Sequence, residues 1–340
     1  MIINFKTHTI SPCIRTGSNF IDNNWEILDD SLRYFIITDD IVDGLYQDLI
    51  DTIPNLLGKY IIPNGETSKS MENYLQIIEK LNGVSFHKND CLIAIGGGVV
   101  TDLSGMVAGT YLRGVPYISI PTTLTGMVDA SLGGKCGVNF KHLKNQIGMF
   151  YHPTEIFIDT MFLKTNTLKE YQNGFSEIIK IGITSSSLLF DVLSHHDLSY
   201  YINNDEIIYL IDEAIKLKIS YVELDEFDKA IRHTLNFGHT IGHIIESNSN
   251  FTISHGHAVA LGMIAENNNE KINKIITEVL KKYQLLEIAI PHLDYVKLLN
   301  SDKKATKSTI TMLDIIEIGQ SKLKTYRKEE LTNEQFWKEY

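Results

Sequence analysis

Residues 234–259, TLNFGHTIGHIIESNSNFTISHGHAV, gather the side chains most able to do chemistry. Arg232, Asn236, His239 and His243 follow one another at intervals of four, three and four, a spacing that would set all four on one stripe of a helix. A lone histidine on a helix is usually a packed or surface residue. Four polar groups on one face make a poor core stripe, and burying them without a metal or an anion would leave several of them unsatisfied. After a short polar loop, Ser254 has the character of a helix N-cap, so His255 and His257 both fall in the first turn of the next helix and compete for a third ligand position. A carboxylate would complete a two-histidine, one-carboxylate metal site with coordination positions left open for substrate. Upstream, GFSEIIKIG offers Glu177.

The elements that must carry these residues fall into two rhythms. Short apolar runs at 34–38, 60–63, 91–95, 117–120 and 156–159 alternate with amphipathic stretches at 42–53, 68–81 and 99–111, the pattern of a parallel sheet covered on both faces. From residue 168 on, the apolar periodicity is helical, through 206–222, 234–247, 255–268 and 272–286. We therefore expect an α/β fold with an N-terminal nucleotide-binding domain over residues 1–165 and an all-α metal- and substrate-binding domain over 166–340. The charged tail from Lys322 is expected to be helical.

Between an apolar strand and a helix lies Ile95-Gly-Gly-Gly-Val-Val-Thr-Asp102. Glycines there let backbone amides approach a phosphate at a helix N-terminus, at the end of an open sheet where such folds bind ligands. The dinucleotide fingerprint GxGxxG is absent, tight packing is an equally simple reason for the glycines, and Asp102 could serve only as a local cap. Residues 113–145 then hold Arg113, Lys135, Lys141 and Lys144 with Asp129 as their one acid. Gly133-Gly134-Lys135 places a lysine on closely approaching backbone, whereas Lys141 has the character of an ordinary solvated lysine. Lys180 and Lys218 lie on expected helices, and Lys180, three residues after Glu177, could equally form a simple surface salt bridge worth little.

Bulk properties narrow the partners. A formal net charge of -11 disfavours nucleic acid and anionic membrane surfaces. Cys13, Cys91 and Cys136 are far apart and lack CxxC spacing, which suits reduced thiols in a cytoplasmic setting. The N-terminus has no signal-peptide order, and the most apolar window, 91–107, is broken by Asp102 and glycines.

With these residues in view, the chain resembles the 3-dehydroquinate synthases of the sugar-phosphate cyclase superfamily. The resemblance is carried by GGGVVTDLSG, TYLRGVPYISIPTTL, VDASLGGKCGVN, KNQIGMFYHP, GFSEIIKIG, LNFGHTIGH, SHGHAVALGM and Ser301-Asp-Lys-Lys304, in the family's order. It implies Glu177, His239 and His255 as ligands of one divalent metal, zinc in most members and cobalt as an alternative. It implies NAD contacts from Asp39, Glu66, Lys69, Gly97, Gly98, Val99, Asp102, Thr122 and Thr123. Around the substrate it implies Asp129, Lys135, Lys144, Asn145, Lys180, Lys218, Arg232, Asn236 and His243, with Lys135 and Lys144 adjoining the cofactor as well, and one of Lys303 and Lys304. Arg113 matches an arginine that reaches a neighbouring subunit's substrate, which implies a homodimer.

The same resemblance implies conversion of 3-deoxy-D-arabino-heptulosonate 7-phosphate to 3-dehydroquinate and phosphate, in the route to aromatic amino acids, with NAD recycled inside each turnover. The alternatives are a valiolone- or inosose-type cyclase, a metal- and NAD-dependent polyol dehydrogenase, and a non-catalytic relative. Asn236 and His243 speak against the valiolone type. Several positions depart from the family pattern: His257 for a glutamate, Cys136 for a threonine, Ile41 for an asparagine, and the run from Lys164 to Thr167 for KTLP. A second imidazole two residues from a ligand is expected to compete for the metal or to alter the ligand's hydrogen bonding.

Overall fold

The computed structural model describes residues 1–8, 10–21, 25–141, 143–249, 252–267, 269–287 and 309–327. The chain separates into two compact units, Met1–Asn166 and Thr167–Tyr340.

In the first unit the strands are β1 (Ile2–Asn4), β2 (Cys13–Gly17), β3 (Tyr34–Asp39), β4 (Leu56–Ile62), β5 (Cys91–Gly96), β6 (Tyr117–Pro121), β7 (Lys135–Phe140), β8 (Leu143–Phe150) and β9 (Glu155–Asp159). Seven of them form one sheet in the order β1-β2-β9-β6-β5-β3-β4. Every pairing in it is parallel except β1 with β2. Strands β3 and β5 are buried along their whole length, as the apolar runs require of strands covered on both faces. The helices are α1 (Asp40–Ile50), α2 (Met71–Gly83) and α3 (Gly98–Thr110). On one face Phe35, Ile37, Leu92 and Ala94 pack with Ile77 and Leu81 of α2 and with Leu103 and Val107 of α3. The stretch expected as one helix over 68–81 is instead a 3-10 turn, Glu66–Ser68, followed by α2 with Ser70 as its N-cap. Strands β7 and β8 form a separate antiparallel hairpin.

The chain order of the sheet reverses between β3 and β5, since β4 lies on one side and β6 on the other. That switch point is where open α/β sheets bind ligands, at the carboxyl ends of the strands.

The second unit begins with α4 (Leu168–Ser185), whose start is fixed by a reciprocal capping box between Thr167 and Glu170. It continues through α5 (Ser187–His195), α6 (Leu198–Ile202), α7 (Ile207–Leu224), α8 (His239–Asn248), α9 (His255–Glu266) and α10 (Glu270–Lys282). No helix among the described residues is long and apolar enough to cross a membrane.

Two expectations need correction. The second unit is not all helical: β10 (Thr309–Glu317) and β11 (Gln320–Arg327) form an antiparallel hairpin, so residues 322–327 of the charged tail are strand, not helix. The tail beyond Arg327 lies outside the described residues. The hairpin turn satisfies carbonyls at the end of α4. The Gly319 N–H donates to the Ile183 carbonyl at 2.8 Å, and the Ser321 hydroxyl to that of Thr184 at 3.0 Å.

The stripe from Arg232 to His243 is also not one helix. Arg232 and Asn236 belong to a 3-10 turn, Ile231–Asn236, and α8 starts only at His239. The break is Gly238, at φ +75, where a Cβ would lie 2.6 Å from the Val259 carbonyl oxygen and 2.7 Å from Met263 Cγ. The turn is therefore forced by the close approach of α8 to α9, which a side chain would block.

Candidate functional site

In the first unit Asp39, Gly97, Gly98, Val99, Thr122 and Thr123, all expected at the cofactor, lie at the carboxyl ends of β3, β5 and β6, while Glu66 and Lys69 follow β4. Asp39 closes β3 and caps α1, accepting the N–H groups of Val42 at 2.9 Å and Ile41 at 3.1 Å. Burial lifts its carboxyl above the usual range against those donors. The glycine turn has both properties weighed from the sequence. Gly96 is a packing glycine, since a Cβ there would meet Val100 Cγ2 at 2.5 Å, and one at Gly97 would lie 3.2 Å from Thr123 Cγ2. Gly97 is nonetheless the N-cap of α3 with no side chain to cap it, so the amides of Gly98 and Val99 open a helix end suited to an anion. Thr122 is buried and joined to Gly96 through its backbone, its N–H donating to the Gly96 carbonyl at 3.0 Å. Thr123 Oγ1 accepts the Gly126 N–H at 3.1 Å.

Lys69, buried, is paired with Asp102 of α3 and also donates to Asn145 of β8. Burial raises the Asp102 carboxyl, with the Lys69 ammonium opposing it. Asp102 therefore does more than cap its own loop. Asn139, absent from the expected set, ties this region together. Its amide donates to the Glu66 carboxylate at 2.8 Å, its carbonyl oxygen accepts the Asn145 N–H at 2.9 Å, and its backbone N–H donates to the Lys69 carbonyl at 2.8 Å. Lys135 is exposed and Lys144 half-buried, on the two strands of the β7–β8 hairpin. Asp129 lies in a short π-turn, Gly126–Ala130. Arg113 is exposed on a 3-10 turn in which Leu112, Arg113 and Gly114 all have positive φ.

In the second unit α4, α8 and α9 bring Glu177, His239 and His255 together, with one donor atom from each lying within 4.8 Å of the others. Glu177 Oε1 is 3.1 Å from His255 Nε2 and 3.5 Å from His239 Nε2. Neighbouring ligand atoms on a tetrahedral ion with bonds of about 2.0–2.1 Å are themselves about 3.3 Å apart, so this donor set fits a divalent cation. Lys180 bonds the second oxygen of Glu177. Both side chains are 3% exposed, so this is no surface salt bridge.

Burial alone would raise the Glu177 carboxyl. The Lys180 ammonium and the two imidazoles outweigh it and hold the group well below its usual range. Burial, then Lys180, hold His239 well below the usual imidazole range, which keeps it in the neutral form a metal requires. Its Nδ1 faces the Phe237 carbonyl at 3.2 Å.

His243 stands beside the cluster, its ring 5.2 Å from that of His239 and 6.3 Å from that of His255, centre to centre. Lys218 is buried on α7. Arg232 is buried, its guanidinium donating to the Glu226 carbonyl at 2.7 Å. Asn236 lines a cavity of about 180 Å³ with Thr240, Glu266 and residues of the β10–β11 hairpin. Lys303 and Lys304 lie outside the described residues.

The expectation that His257 would compete for the metal is not met. Its Nδ1 is 2.7 Å from Ser254 Oγ. Ser254 is the N-cap of α9 by position, but its hydroxyl is given to His257 rather than to the helix.

Two buried carboxylates were missed from the sequence. Glu266 accepts the N–H groups of Gly238 and Ile241, each at 2.9 Å, and so caps α8 from the end of α9. No local signal announces a cap 28 residues away in sequence. Glu246 faces His255 Nδ1 at 3.5 Å. Its spacing of three from His243 was a legible sign of a shared helix face.

Residues 59–173 match the 3-dehydroquinate synthase N-terminal family model, and residues 174–305 the 3-dehydroquinate synthase C-terminal model. The chain is 36% identical over 330 residues to the 3-dehydroquinate synthase of Alkaliphilus oremlandii (strain OhILAs), covering 92% of this chain and 90% of that one. To the 3-dehydroquinate synthase of Clostridium tetani (strain Massachusetts / E88) it is 42% identical over 233 residues, 68% of this chain and 62% of the relative.

Among solved structures, a 2-deoxy-scyllo-inosose synthase complexed with carbaglucose-6-phosphate, NAD+ and Co2+ superposes with a TM-score of 0.87 at 21% identity, covering 98% of this chain and 100% of that one. The 2-epi-5-epi-valiolone synthase of Streptomyces hygroscopicus subsp. jinggangensis 5008, with NAD+ and Zn2+ bound, gives 0.86 at 23% identity and 96% of each chain. At such identities these two structures speak for the fold. The sequence relatives and the family models together place the chain in the 3-dehydroquinate synthase family.

Proposed function

We propose that the chain acts as a 3-dehydroquinate synthase, converting 3-deoxy-D-arabino-heptulosonate 7-phosphate to 3-dehydroquinate and phosphate with NAD and one divalent metal, zinc before cobalt. The observation that carries the reading is the single Glu177 oxygen facing both His239 and His255 inside a chain of this family. When bound, NAD supplies reversible hydride removal and the metal supplies positive charge against an alcohol oxygen.

The chain's own residues bind and orient. In the second unit Glu177, His239 and His255 hold the cation. Lys180, Lys218 and Arg232 meet hydroxyl and carboxylate groups of the substrate, and Asn236 and His243 meet phosphate. In the first unit Asp39, Glu66, Lys69, Asp102, Thr122, Thr123 and the amides after Gly97 engage NAD, while Lys135, Lys144 and Asn145 offer donors to phosphate, with Asp129 beside them. For the phosphate to leave, a proton must come off the carbon next to the oxidised centre, and the phosphate's own oxygen would take it.

The protein is proposed to be a cytoplasmic homodimer. Free cysteines, two of the three buried, suit the compartment, and exposed Arg113 suits the dimer. Purified protein given this sugar phosphate, NAD and zinc is expected to release phosphate and form 3-dehydroquinate without accumulating NADH. Stoichiometric NADH, or a carbocycle formed only from sedoheptulose 7-phosphate or glucose 6-phosphate, would overturn the reading. Glu177→Gln and His239→Ala are expected to lose both bound metal and turnover.

A further inference from the structure

Glu246 is a buried carboxylate for which the reaction above has no use. It lies on α8 seven residues after His239 and three after His243, on the same helix face. Its Oε2 is 3.5 Å from His255 Nδ1, while His255 Nε2 is 3.1 Å from Glu177. One imidazole is thus held at both nitrogens by carboxylates from two different helices.

A cation held by Glu177 and His239 needs the bare lone pair of Nε2, so Nδ1 must carry the ring's proton. That N–H then needs an acceptor, and Glu246 stands there. His239 has the Phe237 carbonyl for the same purpose. The His255 side chain is 30% exposed, so packing alone does not fix its rotation and the polar contact must.

We propose that Glu246 is the positioning residue of the metal centre. It accepts the His255 Nδ1–H, selects the tautomer that presents Nε2, and aims the ring. The inference rests on the reading of Glu177, His239 and His255 as the metal ligands. His243, Glu246 and His255 also bring three donor atoms within 4.8 Å of one another, but a second ion there would have to strip the proton from a ring that already holds the first.

The test measures zinc affinity by chelator competition on the full chain and its Glu246→Ala and Glu246→Gln variants, with the absorption spectrum of the cobalt-loaded proteins as a second readout. Loss of the acceptor is expected to weaken zinc binding by about 10–100-fold in Glu246→Ala and to alter the cobalt bands. Glu246→Gln, whose amide oxygen can still accept, is expected to lose less, and it carries the test if the alanine variant does not fold. A folded Glu246→Ala protein with unchanged zinc affinity and cobalt spectrum overturns the proposal. So does a parent that binds two ions and loses one in the variant. A parent chain that binds no divalent ion overturns the metal-ligand reading itself, and this inference with it.

Discussion

Lys180 holds one oxygen of Glu177 from a single turn further along α4, and this leaves the other oxygen to the two imidazoles. The lysine therefore fixes the carboxylate without occupying the ligand position, and it puts a positive charge beside the place proposed for the reacting alcohol. Lys180→Met is expected to retain bound metal while kcat falls by about 10²-fold or more, the usual effect of removing one preorganised charge or donor. Metal content by elemental analysis beside steady-state rates checks this. A variant that loses its metal along with its activity would show the lysine acting on the ligand alone.

Without a cation, the cluster holds a proton instead. Burial disfavours a charged His255, but its hydrogen bonds to Glu177 and Glu246 outweigh that and push its pKa up to about 10. Metal uptake must displace this proton, so apparent zinc affinity is expected to rise about tenfold per pH unit through the neutral range and to level off near pH 10. The sign for stability follows from the same shift. The folded-state value lies above the ordinary 6.5, so in metal-stripped protein this contribution is complete below about pH 6.5 and fades as pH rises through about 10. Thermal melts of stripped and zinc-loaded protein across that window should diverge, with the stripped form falling.

His257 departs from the family pattern without entering the metal cluster. Its ring bonds the buried Ser254 hydroxyl at the start of α9. His257→Ala is expected to destabilise the fold by about 1–3 kcal/mol, the consequence of leaving a buried partner unpaired, while zinc affinity stays within about twofold. Urea unfolding and chelator competition on the same preparation separate the two effects. A loss of metal at unchanged stability would mark His257 as a ligand after all.

Glu266 caps α8 with two charge-assisted bonds, and such bonds contribute roughly 1.5–3 kcal/mol each. Glu266→Ala is expected to destabilise the second unit by about 2–4 kcal/mol and to weaken zinc binding, because His239 is the first residue of the capped helix. Hydrogen exchange at the start of α8 should rise in the variant. Protection equal to the parent's would count against the cap.

How far the fold was legible follows from which signals are local. Strands β3, β5 and β6 were readable because a strand buried on both faces needs an unbroken apolar run. The helices of the second unit were readable from their 3.6-residue period. The kink before His239 was not, because Asn236, His239 and His243 keep helical spacing across it and the cause, contact with Val259 and Met263, is tertiary. The β10–β11 hairpin was missed because neither strand alternates cleanly: β10 buries the adjacent Met312 and Leu313 and exposes Ile316, and β11 buries only Tyr326. At the proposed metal site, the histidines announced themselves by spacing and Glu177 by its motif. Glu246 shares a helix face with His243, a spacing the sequence shows, but it and Glu266 act on other helices, so what they bond appears only when those helices meet.

The two histidine-bearing helices touch main chain to main chain. A methyl group added at Gly262 would sit 2.0 Å from the Gly238 carbonyl oxygen, and one at Gly242 3.0 Å from that of Ala258. The interval between His239 and His255 is thus gauged by peptide groups in direct contact, with the Glu266 carboxylate pinning the start of α8 to the end of α9. One added carbon at either glycine would prise the two histidines apart.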